Sequence, residues 1–233
     1  MAEHSRSFWV TGATAGLGLA LVEQLLEQGH RVAASSNKCQ ALDDLAERHG
    51  AALLRVPGQL HTPGQAEAAR AQIAGTWGAL DTLIVNAGTC DYLTDDVPDS
   101  DVFEAIVSGN LEAAKQSLAS ALPLLAKGDE PQVMAVFSRY SALQLYAPSQ
   151  LPNAANNVPQ WFRQQRQTLQ AMGVGLILVA PQSLKTPVTS IHATPERWTA
   201  QTAANELLLR LTQREGELVL EALELNELWP LSR

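Results

Sequence analysis

A glycine-rich segment at residues 11–18 constrains the fold of this chain more than any other feature, because it separates a strand-like run from a helix-like run. The segment reads TGATAGLG and follows the run SFWV at residues 7–10. Apolar residues then recur at helical spacing between Leu19 and Leu26. A glycine-rich turn from strand to helix lets backbone N–H groups meet a phosphate without a Cβ in the way. The segment therefore predicts a dinucleotide-binding turn, and an ordinary tight turn is the alternative.

Strand and helix signals alternate along the whole chain. Short apolar runs that predict strands occupy residues 8–10, 31–34, 52–56, 82–85, 133–137, 174–180 and 217–220. Helical patterns occupy residues 17–28, 41–49, 64–76, 100–108, 111–126, 160–172 and 195–213. Thr194 and Pro195 are typical of a helix start, with threonine as N-cap and proline in the first helical position. The continuously apolar strands predict an α/β fold whose parallel, doubly wound sheet has helices on both faces.

Length and composition narrow the class of protein. The 233 residues suit one domain spanning 1–233, and no linker or repeat divides them. A net charge of −8 disfavours a nucleic-acid partner, and no apolar run reaches the length of about 18 residues that a membrane span needs. The N-terminus enters the first strand without a signal peptide, so we expect a soluble, cytoplasmic protein. Cys39 and Cys90 share no metal-binding or redox spacing, and we expect no metal site.

Several motifs together resemble the short-chain dehydrogenase/reductase family over nearly the whole chain. These are the glycine pattern ending at Gly18, the triplet Asn86-Ala87-Gly88, Asn110 opening a helix, and Ser138 at the end of a strand. The sequence from Pro181 to Thr186 is similar to that family's nicotinamide loop. The resemblance implies a Rossmann-like sheet of about seven strands that binds NAD(H) or NADP(H), in a homodimer or homotetramer acting on a small-molecule substrate.

The resemblance also implies which residues hold the cofactor. The glycine-rich turn would line the pyrophosphate, the end of the second strand would bind the adenosine ribose, and later segments would contact the adenine and the nicotinamide. The implied cofactor-binding residues are Gly12, Thr14, Gly16, Leu17, Gly18, Ser35, Ser36, Asn37, Gln59, Leu60, Asn86, Ala87, Gly88, Pro181 and Thr186.

The choice between the two dinucleotides depends on the end of the second strand. Proteins specific for NAD carry an acidic residue there for the ribose diol. Residues 34–38 read ASSNK and contain no acid, so hydroxyls, an amide and a cation are available for a 2′-phosphate. We therefore expect NADP(H), with NAD as the alternative, and we expect the substitution Ala34→Asp to shift the preference toward NADH.

The catalytic residues depart from the family pattern. In the family, a tyrosine acts as general acid or base and a lysine four residues later lowers its pKa. Ser138 and Asn110 match the family, but its usual spacing places Leu151 and Ala155 where the tyrosine and lysine belong. Two other tyrosines are candidate proton donors. Tyr140 lies next to Arg139, and Tyr146 is followed four residues later by Gln150 in place of a lysine.

Three hypotheses about function remain open. The first is an oxidoreductase for a carbonyl or alcohol, with Tyr140, Tyr146 or a water held by Asn110 and Ser138 as the proton donor. The second is a non-catalytic dinucleotide-binding protein, either a redox sensor or a partner subunit of an active relative. The third is an enzyme that uses the cleft for isomerisation or elimination, with no net hydride transfer.

Overall fold

The computed structural model describes residues 5–58, 60–86, 100–137, 158–180, 199–214 and 217–219, and for residues 100–107, 180 and 217–219 it describes the backbone alone. Seven strands form one sheet in the order β3-β2-β1-β4-β5-β6-β7. Every neighbouring pair is parallel. The predicted class, a doubly wound parallel α/β fold, is confirmed.

The strands are short and their ends align. Their bounds are β1 Ser7–Val10, β2 Arg31–Ser35, β3 Leu53–Val56, β4 Thr82–Val85, β5 Gln132–Val136, β6 Gly175–Ala180 and β7 Glu217–Val219. Trp9 lies opposite Ala33 on one side and Leu83 on the other. All four residues of β1 are buried, which explains why its sequence shows no alternation of apolar and polar residues.

Within the described residues, six α-helices pack on the sheet. They are α1 Gly16–Glu27, α2 Gln40–His49, α3 Pro63–Trp77, α4 Ser100–Leu125, α5 Val158–Ala171 and α6 Ala200–Gln213. Helix α3 begins with a proline, whose missing N–H costs nothing in a first turn, and ends at Gly78 in the left-handed conformation. These signals at the helix ends explain why the sequence placed this helix within a residue of its observed bounds.

Two hydrophobic cores lie on opposite faces of the sheet. The first core contains residues of α1, α2 and α6, among them Leu21 and Leu207, together with Phe8 and Val10 of β1. The second core contains residues of α3, α4 and α5, among them Phe162, together with Trp9. Burying each such side chain contributes about 2 kcal/mol relative to leaving it in water. Adjacent residues of one strand therefore stabilise different cores.

The structure corrects the prediction of two helices at residues 100–108 and 111–126. Helix α4 runs continuously from Ser100 to Leu125, so Asn110 lies inside a helix and does not open one. Glycine costs a helix about 1 kcal/mol relative to alanine, which made Gly109 look like a break. The burial of Leu111, Ala114 and Leu118 in the second core outweighs that cost.

The start of the last helix also differs from the prediction. Helix α6 begins at Ala200, not at Pro195, because Thr199 and Thr202 form a reciprocal cap. The Thr202 N–H donates to Thr199 Oγ1 at 3.1 Å, and the Thr199 N–H donates to Thr202 Oγ1 at 2.9 Å. This pair satisfies two N–H groups that a helix start leaves without partners. Such a capping box usually has glutamate or glutamine three residues after the N-cap. Here that residue is Thr202, so the sequence pattern did not reveal the helix start.

A buried carboxylate joins the amino ends of three strands, on the side of the sheet opposite the glycine-rich turn. Asp81 Oδ2 accepts hydrogen bonds from the Ser7 N–H at 2.7 Å and from Ser7 Oγ at 2.9 Å. Its Oδ1 accepts from the Asp129 N–H at 2.7 Å, and its carbonyl accepts from the Gln132 N–H at 2.9 Å. Asp81 therefore connects β1, β4 and the segment entering β5.

Across the helices that the structure describes, none combines the length and apolar character that crossing a membrane requires. The same residues hold no cluster of histidine, cysteine and carboxylate side chains suited to a metal ion.

Candidate dinucleotide-binding site

The glycine-rich turn lies at the carboxyl ends of β1 and β4, where the order of strands reverses. Strand β1 connects toward β2 on one side, and β4 starts the other half of the sheet. Loops leaving two such strands diverge to opposite faces and leave a crevice between them, which is where open α/β sheets bind ligands. The predicted phosphate-binding turn therefore occupies the position where the fold itself provides a cleft.

Hydrogen bonds attach the turn to the end of β4. The Thr11 N–H donates to the Ile84 carbonyl at 3.0 Å, and Thr11 Oγ1 accepts from the Asn86 N–H at 3.0 Å. Asn86 Nδ2 donates to the Gly12 carbonyl at 3.3 Å. Asn86 thus holds the first glycine of the turn through its side chain and the preceding threonine through its backbone. The predicted residues Gly12 and Asn86 meet in the structure.

Gly12 and Gly18 are required because protein atoms fill the space that a side chain would need. A Cβ on Gly12, whose φ is +63°, would lie 1.8 Å from the Asn86 carbonyl oxygen. A Cβ on Gly18 would lie 2.2 Å from the Gly12 carbonyl oxygen and 2.6 Å from Asn86 Nδ2. These two glycines let the turn, β4 and the first turn of α1 approach closely.

Gly16 differs from its two neighbours in the motif. Its φ is +55°, and a Cβ built on it meets no described atom within 4 Å. Gly16 is the first residue of α1, so the open space lies at the N-terminus of that helix. A glycine that no contact among the described residues demands, at a helix N-terminus, fits close approach by a ligand.

The N-terminus of α1 has the electrostatics of an anion site. Ala15 is the N-cap and supplies no side-chain hydrogen bond, and the first turn contains no acidic residue. The first N–H groups of such a helix carry a partial positive charge that favours a phosphate. Thr14 is half-buried beside this turn, whereas the side chain of Leu17 is buried in the first core. Leu17 can therefore serve a phosphate through its backbone N–H alone.

The end of β2 lies beside the turn. The Ser35 carbonyl accepts from the Ala13 N–H at 3.0 Å, and Ser35 Oγ accepts from Trp9 Nε1 at 2.9 Å. Ser35 is fully buried, so its hydroxyl supports the strand end. Contrary to our expectation, this hydroxyl is not accessible to a ribose. Ser36 is half-buried and Asn37 is exposed, which leaves these two with Lys38 as the accessible polar groups.

Ala34 is the wrong position for the expected switch of cofactor preference. The residue is completely buried in the first core, so Ala34→Asp would place a carboxylate among apolar side chains. A buried, unpaired charge destabilises the fold before it can act on a ligand. Ser36 is the first residue after β2 and is half-buried, so an acidic side chain there can reach solvent, as it can at the exposed Asn37 and Lys38.

The segment after β3 contributes a close contact and a core residue. A Cβ on Gly58 would lie 2.4 Å from the Ser36 carbonyl carbon and 2.8 Å from the Asn37 nitrogen. Leu60, expected against the adenine, is buried in the second core. Gln59, the other residue predicted here, lies outside the described residues.

Most of the predicted catalytic residues also lie outside the described residues. Of the predicted catalytic residues, Asn110 is the one that the structure describes, and it is half-buried within α4. Strand β5 is followed by Phe137, whose N–H donates to the Val179 carbonyl at 2.8 Å. The predicted residues outside the described part are Ala87, Gly88, Ser138, Tyr140, Tyr146, Leu151, Ala155, Pro181 and Thr186.

Two ionisable side chains with shifted pKa values lie on α3, which is not part of the glycine-rich turn. A hydrogen bond from the Arg70 guanidinium lowers the pKa of Glu67, and the same contact raises the pKa of Arg70. Glu67 is exposed and Arg70 is half-exposed, so this pair is a surface interaction of the helix.

Sequence reasoning missed Trp9 and Gly58, and it gave Thr11 no separate role within the predicted turn. Trp9 and Thr11 bond to Ser35 and Asn86 across the sheet, and Gly58 packs on the turn after β2. The available signal was a tryptophan, with its N–H donor, inside a buried strand, next to a strand ending in serine. Only the register of β1 and β2 brings those two side chains to the same face of the sheet.

A strand order that reverses beside a glycine-rich turn at a helix N-terminus defines a Rossmann-like α/β protein. The short chain dehydrogenase family description matches residues 7–196, which is most of the chain. The chain belongs to this family.

Relatives and solved structures agree with that membership. Cis-1,2-dihydrobenzene-1,2-diol dehydrogenase of Pseudomonas putida is 37% identical over 118 residues, covering 47% of this chain and 43% of the relative. The chain thus matches less than half the length of this curated relative. NADPH-bound carbonyl reductase from chicken fatty liver superimposes with a TM-score of 0.75 at 24% identity, covering 93% of this chain and 97% of that one. A Burkholderia cenocepacia short chain dehydrogenase in complex with NADP gives a TM-score of 0.74 at 23% identity, with coverages of 94% and 89%. These two superpositions establish a shared fold.

Proposed function

We propose that this chain binds NADP(H) in the crevice between β1 and β4. The observation that carries the proposal is the open space at Gly16 beside the uncapped N-terminus of α1. Backbone N–H groups of residues 16–18 would hold the pyrophosphate there. Ser36, Asn37 and Lys38 would bind the 2′-phosphate, since residues 34–38 contain no carboxylate to repel it. The NADP- and NADPH-bound structures of the same fold support this choice.

The test of binding uses two glycines with nearly the same φ angle. NADPH and NADH are titrated by calorimetry into the wild type, Gly16→Ala and Gly50→Ala. Gly16 and Gly50 have φ values of +55° and +54°, and neither has a described atom within 4 Å of an added Cβ. Both substitutions therefore place an alanine at a positive φ, but Gly50, whose ψ is −127°, lies at the end of α2. We expect NADPH to bind more tightly than NADH, with micromolar affinity, and at least about tenfold more weakly to Gly16→Ala alone.

The proposal fails if the wild type binds neither dinucleotide. It also fails if both glycine variants lose affinity equally, because the loss would then follow from strain and not from a blocked phosphate. If NADH and NADPH bound equally well, the proposed dinucleotide site would stand. The proposal that Ser36, Asn37 and Lys38 bind the 2′-phosphate would be wrong.

We further propose that the protein is nominally an oxidoreductase for a carbonyl or alcohol, with an incomplete set of catalytic residues. A bound nicotinamide supplies or accepts the hydride. Ser138 would donate a hydrogen bond to the substrate oxygen, and Asn110 would hold a water in a proton relay. Tyr140 or Tyr146 would supply the proton, because Leu151 and Ala155 have no ionisable group.

A non-catalytic role as a dinucleotide sensor or partner subunit is the second candidate. It is favoured by the sequence between Ser138 and Gln160, which contains no lysine. An unperturbed phenol titrates near 10, and lowering its pKa to about 7 takes roughly 4 kcal/mol of interaction with the ionised form. A neutral glutamine after Tyr146 supplies no such charge. A protein that keeps the phosphate-binding turn but cannot ionise a tyrosine binds the cofactor without turning it over.

Turnover separates the two candidates. NADPH oxidation is followed with simple ketones and aldehydes, and NADP reduction with cis-dihydrodiols, since dihydrodiol dehydrogenases are among the relatives. We expect slow or absent turnover. Leu151→Tyr combined with Ala155→Lys is expected to raise the rate if the cleft still accepts a substrate. Rapid turnover by the wild type would refute the non-catalytic role, and its loss in Ser138→Ala would assign Ser138 to the reaction.

A further inference from the structure

Trp9 makes a buried hydrogen bond to the strand that precedes the proposed 2′-phosphate site. Its side chain is fully buried, and its Nε1 donates to Ser35 Oγ at 2.9 Å. Ser35 is the last residue of β2, immediately before Ser36. We propose that Trp9 is a positioning residue for the part of the site that distinguishes NADP(H) from NAD(H). This inference rests on the proposed cofactor binding.

Ser35 passes the effect of Trp9 to the turn through its backbone. The residue is fully buried, so it cannot bind a ligand by its own side chain. Its hydroxyl is held by Trp9, and its carbonyl is held by the Ala13 N–H of the glycine-rich turn. Fixing both ends of Ser35 fixes the direction in which Ser36 leaves the strand.

Gly58 closes the third side of the same turn. Its α-carbon approaches Ser36 so closely that a Cβ would lie 2.4 Å from the Ser36 carbonyl carbon and 2.6 Å from the carbonyl oxygen. The turn is therefore held by β1, by the glycine-rich turn and by the segment after β3. Ser36, Asn37 and Lys38 are placed before a ligand arrives, which lowers the entropy cost of binding a phosphate.

Removal of the indole donor is expected to loosen this part of the site selectively. Trp9→Phe keeps an aromatic ring in the core but leaves the Ser35 hydroxyl buried without its donor. The bond between Ser35 and Ala13 is made by backbone atoms, so the pyrophosphate turn keeps its attachment. Affinity for the 2′-phosphate should fall, whereas affinity for the part common to both dinucleotides should change little.

The experiment measures the ratio of the dissociation constants for NADH and NADPH in the full-length protein. Variants are Trp9→Phe, Ser35→Ala and the double substitution. Ser35→Ala removes the same hydrogen bond from the acceptor side with a much smaller change of side-chain volume, so it tests the inference even if Trp9→Phe does not fold. Each single variant should lower the ratio about fivefold, and the double variant should lower it no further, because both remove one bond. Leu83→Val is the matched control, since it loosens the core opposite Trp9 without removing a hydrogen bond.

Every outcome separates positioning from other roles. A ratio unchanged in folded Ser35→Ala overturns the inference, as does a ratio that falls equally in Leu83→Val. A fall in Ser35→Ala with none in folded Trp9→Phe would assign the effect to Ser35 itself and also overturn it. If the wild type binds both dinucleotides equally, the inference about Trp9 is overturned. If it binds neither, the proposed function itself is refuted.

Discussion

The three glycines of the turn carry different constraints at the scale of single residues. Gly12 and Gly18 face protein backbone, whereas Gly16 faces open space. The first two glycines therefore stabilise the fold itself, and the third leaves room for a ligand. In this motif two glycines are required by packing, and the third is the one that we propose lies against the phosphate.

We predict that Gly12→Ala destabilises the protein far more than Gly16→Ala. An added methyl group at residue 12 would lie 1.8 Å from the Asn86 carbonyl oxygen, at a φ of +63°. Overpacking together with left-handed strain should cost about 3 kcal/mol, whereas strain alone at Gly16 should cost about 1 kcal/mol. Urea denaturation measures both values. Equal losses in the two variants would contradict the close contact with Asn86.

Ser36 is the residue where charge should set the cofactor preference. We predict that Ser36→Asp weakens NADPH about tenfold, through repulsion of the 2′-phosphate, and leaves NADH within about twofold. Ser36→Asn is the matched control, because it has nearly the same size without the charge. The dissociation constants are measured at two salt concentrations, and the effect of the aspartate should shrink at the higher one. If Ser36→Asp lost affinity for NADPH and NADH equally, the 2′-phosphate would not bind at this turn.

At the scale of elements, Asp81 joins strands that are distant in sequence. Its carboxylate accepts hydrogen bonds from Ser7 and from the Asp129 N–H. We predict that Asp81→Ala lowers the free energy of unfolding by about 3 kcal/mol, because it leaves buried donors without an acceptor. Urea denaturation with NADPH titration checks this, since the affinity of the folded variant should not change.

Asp129→Ala is the control for that prediction. Asp129 is exposed and contributes its backbone N–H, so its side chain can be removed without breaking the bond to Asp81. We expect a change within about 0.5 kcal/mol. A comparable loss in both variants would show that surface charge at this end of the sheet, and not the buried acceptor, is responsible.

The sequence predicted the strands and the class of fold because their signals are local. Continuous apolar runs marked the parallel sheet, and a helical pattern over residues 64–76 marked α3 to within one residue at each end. Helix α4 was divided wrongly because the weak helix formers Gly109 and Asn110 are outweighed by burial of the residues after them. That burial depends on the second core, which no local pattern contains.

The candidate site could be predicted only in part for the same reason. The glycine pattern identified Gly12, Gly16 and Gly18, but their division into packing and open positions depends on Asn86, far along the chain. Ala34 looked accessible because it ends an apolar run, yet it faces the first core. The alternation of faces along β2 decides which residue reaches a ligand, and register is a property of the assembled sheet.

For the whole molecule, the two cores share every central strand. Trp9 enters the second core, and its neighbours Phe8 and Val10 enter the first. Neither core can come apart without disrupting the strand that stabilises the other. We therefore propose that residues 1–233 unfold as one domain. Assembly into a homodimer or homotetramer stays a prediction.

We predict a single thermal transition that NADPH shifts upward as a whole. A ligand that binds only the folded state, at about one hundred times its dissociation constant, adds about 2.7 kcal/mol of stability. For a domain of this size that raises Tm by about 5–10 °C. Calorimetry of the wild type checks both parts, with Gly16→Ala as the variant whose transition the same NADPH concentration should raise by at most about half as much, since a tenfold weaker ligand adds about 1.4 kcal/mol. Two separate transitions, of which NADPH moves only one, would instead divide the chain into independent units. The cofactor would then stabilise the unit that contains α1, and the two cores would not share the central strands as one cooperative sheet.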